Sequence, residues 1–326
     1  MRKKIYKSLY DNIGEYVSGE KLSEKLSISR AAVSKHISAL KSDGAVIESV
    51  SHKGHKLIKN PDRMKKEYVL PLLKNIEYIS DYMWYESIDS TNEALKQIGD
   101  KADEIVICTC EDQPKGKGRR GREWLSNKHN GIYTSFLLKP HIAISDAFKI
   151  TCIAAIALVR TIEDFTGLNA KIKWPNDILI SNKKISGTLT ELSADFDGVN
   201  FIICGIGINI NQSKESFTGK IKDIATSLRI EYGKKIDRLE LFSKIIDEFI
   251  GLYNVFKDEG LTNLIEEYKR YNLVIGKEAI IINGNIKSKG IVDDIDDSGA
   301  VILNMEGDKV RFVAGEVSLR GVNGYV

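Results

Sequence analysis

The spacing at which apolar residues recur changes twice along this chain of 326 residues, and this change restricts the possible folds more than any other feature. Up to about residue 59 they recur at the helical period, whereas from about residue 76 short strand-like runs surround one long apolar helix. Beyond Val274 short alternating strands are separated by turns. We therefore predict three domains, over residues 1–60, 61–271 and 272–326.

The first domain is predicted to be a winged helix-turn-helix. Three helical stripes of apolar residues are interrupted at "SIS", residues 27–29, and Gly44 is placed to end the third helix. Two helices joined by so short a turn form a helix-turn-helix. The stretch "AVIESVSHKGHKLI" then predicts two strands around a tight turn at Lys53 and Gly54, which would form a basic wing.

The third helix is a candidate for insertion into the major groove of DNA. Small, hydroxylated and basic side chains on its outward face suit contacts with base edges and phosphates. The net charge of the chain is only +3, so this local clustering carries the prediction. The alternative is a small helical domain for protein interaction. The candidate DNA-binding residues are Arg30, Ala31, Ser34, Lys35, Ser38 and Lys53.

The rest of the chain predicts an α+β multidomain fold. Strand candidates outnumber helices and several follow one another directly, so we expect a central mixed β-sheet with helices on one side. One long apolar helix is expected from about Asp146 to Phe165, and amphipathic helix over 236–270. The C-terminal segment, with turns at "NGN", "DDSG" and "EGD", predicts a small β-barrel.

The glycine–arginine loop, "QPKGKGRRGREW" at residues 113–124, combines five cations with three glycines. It contains G-x-G-x-x-G, but no helical period follows, and Arg122 and Glu123 replace the lysine and hydroxyl of a P-loop. Glycines let main-chain N–H groups reach an anion, and arginines add paired hydrogen bonds. We predict that this loop binds a phosphate or carboxylate; the alternative is a flexible basic loop for nucleic acid.

Two further segments place polar groups next to strands. In "KWPNDILI" the rigid Pro175 is followed by Asn176 and Asp177, which need partners if they are buried. Lys183 and Lys184 come a few residues later, so a carboxylate and an ammonium could share one site. The segment "GIGINI" is apolar except for its asparagine, and its bare glycines would let a ligand approach the backbone.

In this order, "DSTNEA", the glycine–arginine loop, "KWPNDI", "KKISGTLTEL" and "GIGINI" closely resemble the biotin protein ligases. The resemblance runs from about residue 80 to the C-terminus, and the winged helix extends it to the bifunctional members that also repress biotin genes. It implies a core like that of class II synthetases and activation of biotin with MgATP to biotinoyl-5′-AMP. It further implies that biotin is then transferred to a lysine in the carrier domain of a carboxylase and that the adenylate also serves as corepressor.

The resemblance implies roles for individual residues. Lys184 and Arg119 are expected to be catalytic, and magnesium is expected to arrive with ATP near Asp177 rather than at a fixed protein site. Lys117 stands where the family usually has arginine. Contacts with biotin are implied for Ser90, Thr91, Asn92, Gln113, Lys117, Gly118, Arg119 and Lys184, and contacts with ATP or the adenylate for Arg122, Trp124, Asn176, Asp177 and Asn209.

The remaining expectations concern partners and location. The expected partners are operator DNA, the carrier domain and a second copy of the chain in a homodimer. No apolar run approaches the ~20 residues that cross a bilayer and the N-terminus lacks a signal sequence, so we expect a cytoplasmic protein without membrane contact. Its four cysteines are expected to be buried free thiols. The alternatives are a lipoate or octanoate ligase and a ligand-sensing transcription factor without ligase activity.

Overall fold

The computed structural model describes residues 1–196, 198–283, 285–314 and 317–321. Its N-terminal part is the predicted winged helix-turn-helix, with α1 (Arg2–Tyr10), α2 (Gly19–Leu26), α3 (Arg30–Ser42), β1 (Val46–Val50) and β2 (Gly54–Lys59). Ser18 and Ser29 precede α2 and α3. Each serine hydroxyl accepts a hydrogen bond from the main-chain N–H three residues later, which satisfies a donor at the start of the helix.

The winged helix-turn-helix packs directly against the next domain. Buried side chains of α1, namely Ile5, Tyr6 and Leu9, share one apolar core with Tyr68 of α4 (Lys66–Val69). The rings of Tyr6 and Tyr68 meet edge to face with their centroids 5.1 Å apart, a favourable arrangement for aromatic pairs. The connecting segment is therefore held on the protein and is not a free tether.

The central sheet has seven strands, β3 (Asp81–Tyr85), β4 (Ile105–Cys110), β5 (Gly131–Leu138), β6 (Lys171–Lys173), β7 (Asp177–Ile180), β8 (Lys183–Asp195) and β9 (Gly198–Asn209). Their order across the sheet is β3, β4, β5, β9, β8, β7, β6. Strands β3 and β4 run parallel and the other neighbouring pairs run antiparallel. The prediction of a mixed sheet is therefore confirmed.

Helices cover the two faces of this sheet unequally; they are α5 (Thr91–Lys96), α6 (Lys149–Thr166), α7 (Leu228–Tyr232), α8 (Arg238–Glu259) and α9 (Thr262–Tyr271). The long helices α6 and α8 bury one face, on which Phe136 lies. The short α5 packs on the other face, with Leu137 in a smaller apolar cluster. The helical segment predicted over 236–270 is divided at Gly260, whose φ of 73° ends α8.

The C-terminal domain is an antiparallel sheet of five strands, β10 (Glu278–Asn283), β11 (Ile286–Ile295), β12 (Val301–Met305), β13 (Asp308–Phe312) and β14 (Val317–Gly321). Their order is β13, β12, β11, β10, β14. The prediction of a separate small β domain is confirmed. Within the described residues β13 and β14 are the outer strands and do not pair with each other, so the closure of a barrel is not seen there.

Two predictions about the whole chain can be compared with the structure. None of the helices in the described ranges combines the length and apolar character that crossing a bilayer requires. Cys108, Cys110, Cys152 and Cys204 are buried and free, as predicted. Burial raises the pKa of each thiol, so these cysteines act as small apolar core residues rather than nucleophiles.

Candidate functional site

A pocket of about 1000 Å³, including the solvent at its mouth, opens on the face of the central sheet that carries α5. Its walls come from α5, the glycine–arginine loop, the strands β6 to β9 and the last strand, β14. The residues that sequence resemblance assigns to ligands and that line this pocket are Ser90, Thr91, Asn92, Gln113, Lys117, Gly118, Arg119, Arg122, Trp124, Asn176, Asp177 and Lys184.

The N-terminus of α5 forms a fixed polar patch at one end of the pocket. Ser90 begins the helix, because its hydroxyl accepts from a main-chain N–H three residues later. Thr91 donates through its main-chain N–H and its hydroxyl to Gln113 Oε1, at 2.8 and 3.1 Å. The Ser135 hydroxyl donates to Asn92 Oδ1 at 2.6 Å. Uncharged donors and acceptors held in this way suit a neutral polar group of a ligand.

Glycines in β9 allow side chains to lie directly on the strand. A Cβ at Gly205 would overlap the carboxamide of Asn92, whose nitrogen also donates to Glu191 Oε2 at 2.7 Å. A Cβ at Gly207 would overlap the indole of Trp124 in the same way. The bare glycines of "GIGINI" are therefore required by the residues that form the pocket.

The glycine–arginine loop is a hairpin with a defined shape. The Gly118 N–H donates to the Arg122 carbonyl at 2.7 Å, and the Trp124 N–H donates to the Gly116 carbonyl at 2.9 Å. Arg120 has a φ of 58° at its tip, a left-handed conformation that main-chain bonds on both sides enforce. A purely electrostatic basic patch would not need this geometry.

Two arginines join the loop to other parts of the molecule. Arg119 donates to Asn176 Oδ1 at 3.1 Å and to the carbonyl oxygen of Ala314 in the C-terminal domain. Arg120 donates to the Ile282 carbonyl at 3.3 Å. Burial lowers the pKa of Arg119, but a guanidinium is so strongly basic that it remains a cation in proteins. The loop thus covers the pocket between the sheet and the C-terminal domain.

Lys117, at the position where the sequence resemblance implies an arginine, ties the loop to α5. Its ammonium lies 2.8 Å from Glu93 Oε1, and Lys96 binds the same carboxylate at 3.0 Å. These two lysines hold the pKa of Glu93 below its usual value. The lysine ammonium is a compact charge, so one carboxylate can bind both lysines. An arginine would instead bind the carboxylate through two N–H groups of its planar guanidinium.

Asp177 and Lys184 meet in the pocket, as the sequence predicts. They lie on the neighbouring strands β7 and β8, and Lys184 Nζ is 2.6 Å from Asp177 Oδ1. The same ammonium is 5.4 Å from the centre of the Trp124 ring, within range of a cation–π contact. The neighbouring Lys183 is exposed. Lys184 is thus the lysine of this pair that the strand turns towards the site.

Sequence reasoning missed two cations of this pocket. Lys173 ends β6 and is only 3% exposed, and burial lowers its pKa to about 7 while Asp177 opposes the shift. A lysine inside the apolar run "KIKWPNDILI" is a signal that could have identified it. Arg320 lies in β14 and lines the same pocket. No nearby sequence feature marks Arg320, because only the packing of the C-terminal sheet brings it to the site.

Two more residues, Asn209 and Trp174, form hydrogen bonds with other parts of the protein and not with the groups described above. Asn209 lies at the end of β9, outside the described lining of the pocket, where its side chain accepts from Gln212 Nε2 at 3.1 Å. Trp174 is 1% exposed, and its indole N–H donates to the Gly299 carbonyl at 2.9 Å. Trp174 is therefore a core residue at the pocket wall, and Trp124 is the aromatic residue that contacts the lysine of the site.

The charges of the pocket suit polyphosphate. Arg119 and Lys184 provide cations, Lys173 adds an amine that bound phosphate would keep protonated, and Asp177 provides a carboxylate. Within the described ranges no cluster of three histidine, cysteine or acidic residues could hold a metal ion. Magnesium is usually bound by one or two carboxylates together with phosphate oxygens, so Asp177 fits an ion that arrives with a nucleotide.

The DNA-binding candidates lie on the exposed surface of the winged helix-turn-helix. Opposite them, Val33, Ile37 and Leu40 form the buried stripe of α3. Lys41 Nζ donates to the Ser49 hydroxyl of β1 at 3.2 Å, which holds the wing beside the helix. Such an exposed basic face suits a DNA groove. The exposed candidates are Arg30, Ala31, Ser34, Lys35, Ser38 and Lys53.

Three protein families match consecutive parts of the chain. An HTH domain matches residues 2–56, the biotin/lipoate A/B protein ligase family matches 84–209, and the biotin protein ligase C terminal domain matches 274–320. The middle match contains α5, the glycine–arginine loop and the strands that form most of the pocket.

Individual proteins resemble the chain over most of its length. The bifunctional ligase/repressor BirA of Bacillus spizizenii is 35% identical over 98% of this chain and 98% of its own length. The BirA of Escherichia coli is 29% identical over 94% of each chain. Among solved structures, the biotin protein ligase from Aquifex aeolicus in complex with biotin and ATP has a TM-score of 0.66 at 30% identity, over 74% of this chain and 99% of that chain.

Proposed function

This chain belongs to the family of bifunctional biotin ligases and repressors, and from that membership we propose how its residues divide the work. The protein forms biotinoyl-5′-AMP from biotin and ATP and transfers the biotin to a carboxylase carrier domain. Its winged helix-turn-helix binds operator DNA. One observation carries the assignment of the site: the pocket joins a neutral polar patch at Thr91 and Asn92 to a cluster of cations around Lys184.

In the first step, a carboxylate oxygen of biotin attacks the α-phosphorus of ATP. The bond from this phosphorus to pyrophosphate breaks, and a mixed anhydride forms. Negative charge shifts among the phosphate oxygens, and Arg119, Lys173 and Lys184 neutralise it. Asp177 holds the ammonium of Lys184 in place through their 2.6 Å ion pair. Magnesium bound to ATP would screen the remaining phosphate charge.

In the second step, the neutral amine of the carrier lysine attacks the carbonyl carbon of the adenylate. The bond from this carbon to the AMP oxygen breaks, and the amine proton passes to water. Between the steps the adenylate must be protected from hydrolysis. The glycine–arginine loop covers it, because Arg119 binds both Asn176 and the C-terminal domain across the mouth of the pocket.

Lys184 and Lys183 offer a matched pair for testing the site. Purified protein is mixed with biotin, ATP and a carrier domain, and incorporated biotin is measured. Lys184→Ala should lower adenylate formation at least about 100-fold, because a phosphate-binding charge is lost from a partly dry site. Lys183→Ala should retain wild-type activity, because Lys183 is exposed. Equal activity in the two variants would remove Lys184 from the mechanism.

The alternatives are distinguished by the same preparation. A lipoate or octanoate ligase would incorporate those labelled acids in preference to biotin. A transcription factor without ligase activity would show no biotin-dependent exchange between pyrophosphate and ATP.

The repressor is further proposed to act as a homodimer whose corepressor is biotinoyl-5′-AMP. One winged helix makes only a few phosphate contacts, so two copies are needed for useful affinity at physiological salt. Sedimentation and operator binding should strengthen together when biotin and ATP are added. Operator binding of equal strength by a monomer without ligand would contradict the dimer proposal.

A further inference from the structure

Arg238, the first residue of α8, is a buried cation at the boundary between the winged helix-turn-helix and the ligase domain. Its Nη1 donates to Glu111 Oε2 at 3.0 Å, and both side chains are 0% exposed. Its Nε donates to Asp62 Oδ1 at 2.7 Å. Its Nη1 also donates to the carbonyl oxygen of Gly131 at 2.8 Å. We name Asp62, Glu111, Arg238 and the Gly131 carbonyl the Arg238 cluster.

The cluster binds both ends of the segment that carries the glycine–arginine loop. Glu111 follows the last residue of β4 and precedes Gln113, which accepts hydrogen bonds from Thr91 in the pocket. Gly131 is the first residue of β5, where the chain returns to the sheet after the loop. One guanidinium thus fixes the entry and the exit of the segment that closes over the ligand.

The same guanidinium binds the connection to the DNA-binding domain. Asp62 lies in the segment between β2 and α4, and its main-chain carbonyl also accepts from Arg238 Nη2 at 3.1 Å. Two residues later, the Met64 N–H donates to Glu111 Oε1 at 3.3 Å. The Tyr82 hydroxyl of β3 donates to the Met64 carbonyl at 2.6 Å. The connection is therefore bonded to Glu111 both directly and through Arg238.

Burial makes the Glu111–Arg238 pair respond as a unit. A buried carboxylate or guanidinium that loses its partner keeps the cost of desolvation without compensation, so the ion pair stays intact when either side moves. A displacement of Glu111 as the loop closes is then accompanied by Arg238 and by the residues that it binds. When one segment becomes ordered, a second segment that binds the same side chain can become ordered at a lower cost in entropy.

We propose that the Arg238 cluster couples closure of the glycine–arginine loop over the adenylate to the position of the segment that carries the DNA-binding domain. The proposal rests on the ligase and repressor activities described above and assigns Arg238 and Asp62 as positioning residues, because neither contacts the pocket. By the reciprocity of coupled equilibria, DNA binding tightens adenylate retention through the same route.

The test compares wild-type protein with Asp62→Ala, a substitution at a position that is 33% exposed in its side chain and outside the pocket. Lys235→Ala is the control, because Lys235 also binds Asp62, at 3.4 Å, but makes no bond to the loop segment. Hydrogen exchange of residues 60–69 and 111–131 is measured with and without biotin and ATP. Biotin transfer to a carrier domain is assayed on the same preparations.

In wild-type protein and in Lys235→Ala, biotin and ATP should slow exchange about tenfold or more in both segments, within the range of typical coupling energies. In Asp62→Ala the response should persist in 111–131 and weaken by about half or more in 60–69, because the side-chain bond to Arg238 is lost while the bonds of the Asp62 carbonyl and the Met64 N–H remain. The turnover number for biotin transfer should be unchanged. The inference is overturned if residues 60–69 do not respond in wild type, or if they respond equally in Asp62→Ala. Absence of biotin transfer in wild type would instead contradict the proposed ligase function.

Discussion

At the scale of single residues, Lys173 has the most unusual chemistry in the site. Burial lowers its pKa to about 7, so at pH 8 it is mostly uncharged in the free protein. The phosphates of ATP favour the charged ammonium, so binding of ATP at pH 8 should be accompanied by uptake of up to about one proton. Calorimetric titrations in buffers of different ionisation enthalpy measure this uptake.

Lys173→Met should abolish most of the proton uptake, whereas Lys171→Met, two residues earlier on the same strand, should leave it unchanged. The same shift affects stability. The unfolded chain keeps the lysine proton up to a pH of about 10, so this residue makes the free protein more stable as pH rises from about 7 to about 10. Equal proton uptake in wild type and Lys173→Met would show that another group titrates.

At the scale of elements, the packing of α5 against β9 requires a glycine at position 205 of the strand. Gly205→Ala would place a Cβ against the Asn92 carboxamide and displace it from Ser135. Overpacking of this kind costs about 1–3 kcal/mol, so biotin affinity should fall by roughly 5- to 150-fold if the cost falls on the ligand-binding conformation. Isothermal titration with biotin measures the loss.

Gly251→Ala in α8 is the control for this substitution. A Cβ there meets only the distant amide of Asn75 at 4.0 Å, so the helix should gain up to about 1 kcal/mol and biotin affinity should not change. Wild-type affinity in Gly205→Ala would show that Asn92 does not position biotin.

At the scale of the whole molecule, the winged helix-turn-helix and the ligase domain share a core. Removing residues 1–59 would expose Tyr68 and Val69, which lie in the helix α4 that packs against α1 and are each 0% exposed in the full chain. At roughly 1.5–3 kcal/mol for each large apolar side chain, the melting temperature should fall by at least about 5 °C, and operator binding should be lost. Calorimetry and a DNA-binding assay measure the two effects.

Full-length Lys35→Ala separates the two effects of this truncation. Lys35 is exposed on α3, so its loss should weaken DNA binding and leave the melting temperature unchanged. An unchanged melting temperature in the truncated protein would contradict the shared core.

Local patterns in the sequence determined the elements and most of the candidate site. Ser18, Ser29 and Ser90 each cap a helix through a bond to a residue three positions later, an interaction that depends on adjacent sequence alone. The alternation of apolar residues likewise depends on local geometry, so the mixed sheet could be predicted. The cations and glycines of the glycine–arginine loop likewise predict an anion site from adjacent residues alone.

Tertiary structure alone decided which distant residues complete the site and how the domains are joined. Arg320 reaches the pocket only because β14 lies beside it, and Glu111 meets Arg238 across 127 positions of sequence. Burial is also a tertiary property, and the lowered pKa of Lys173 follows from it. The energies of these contacts depend on removing water between segments far apart in the chain. They therefore cannot be predicted from the local spacing of residues.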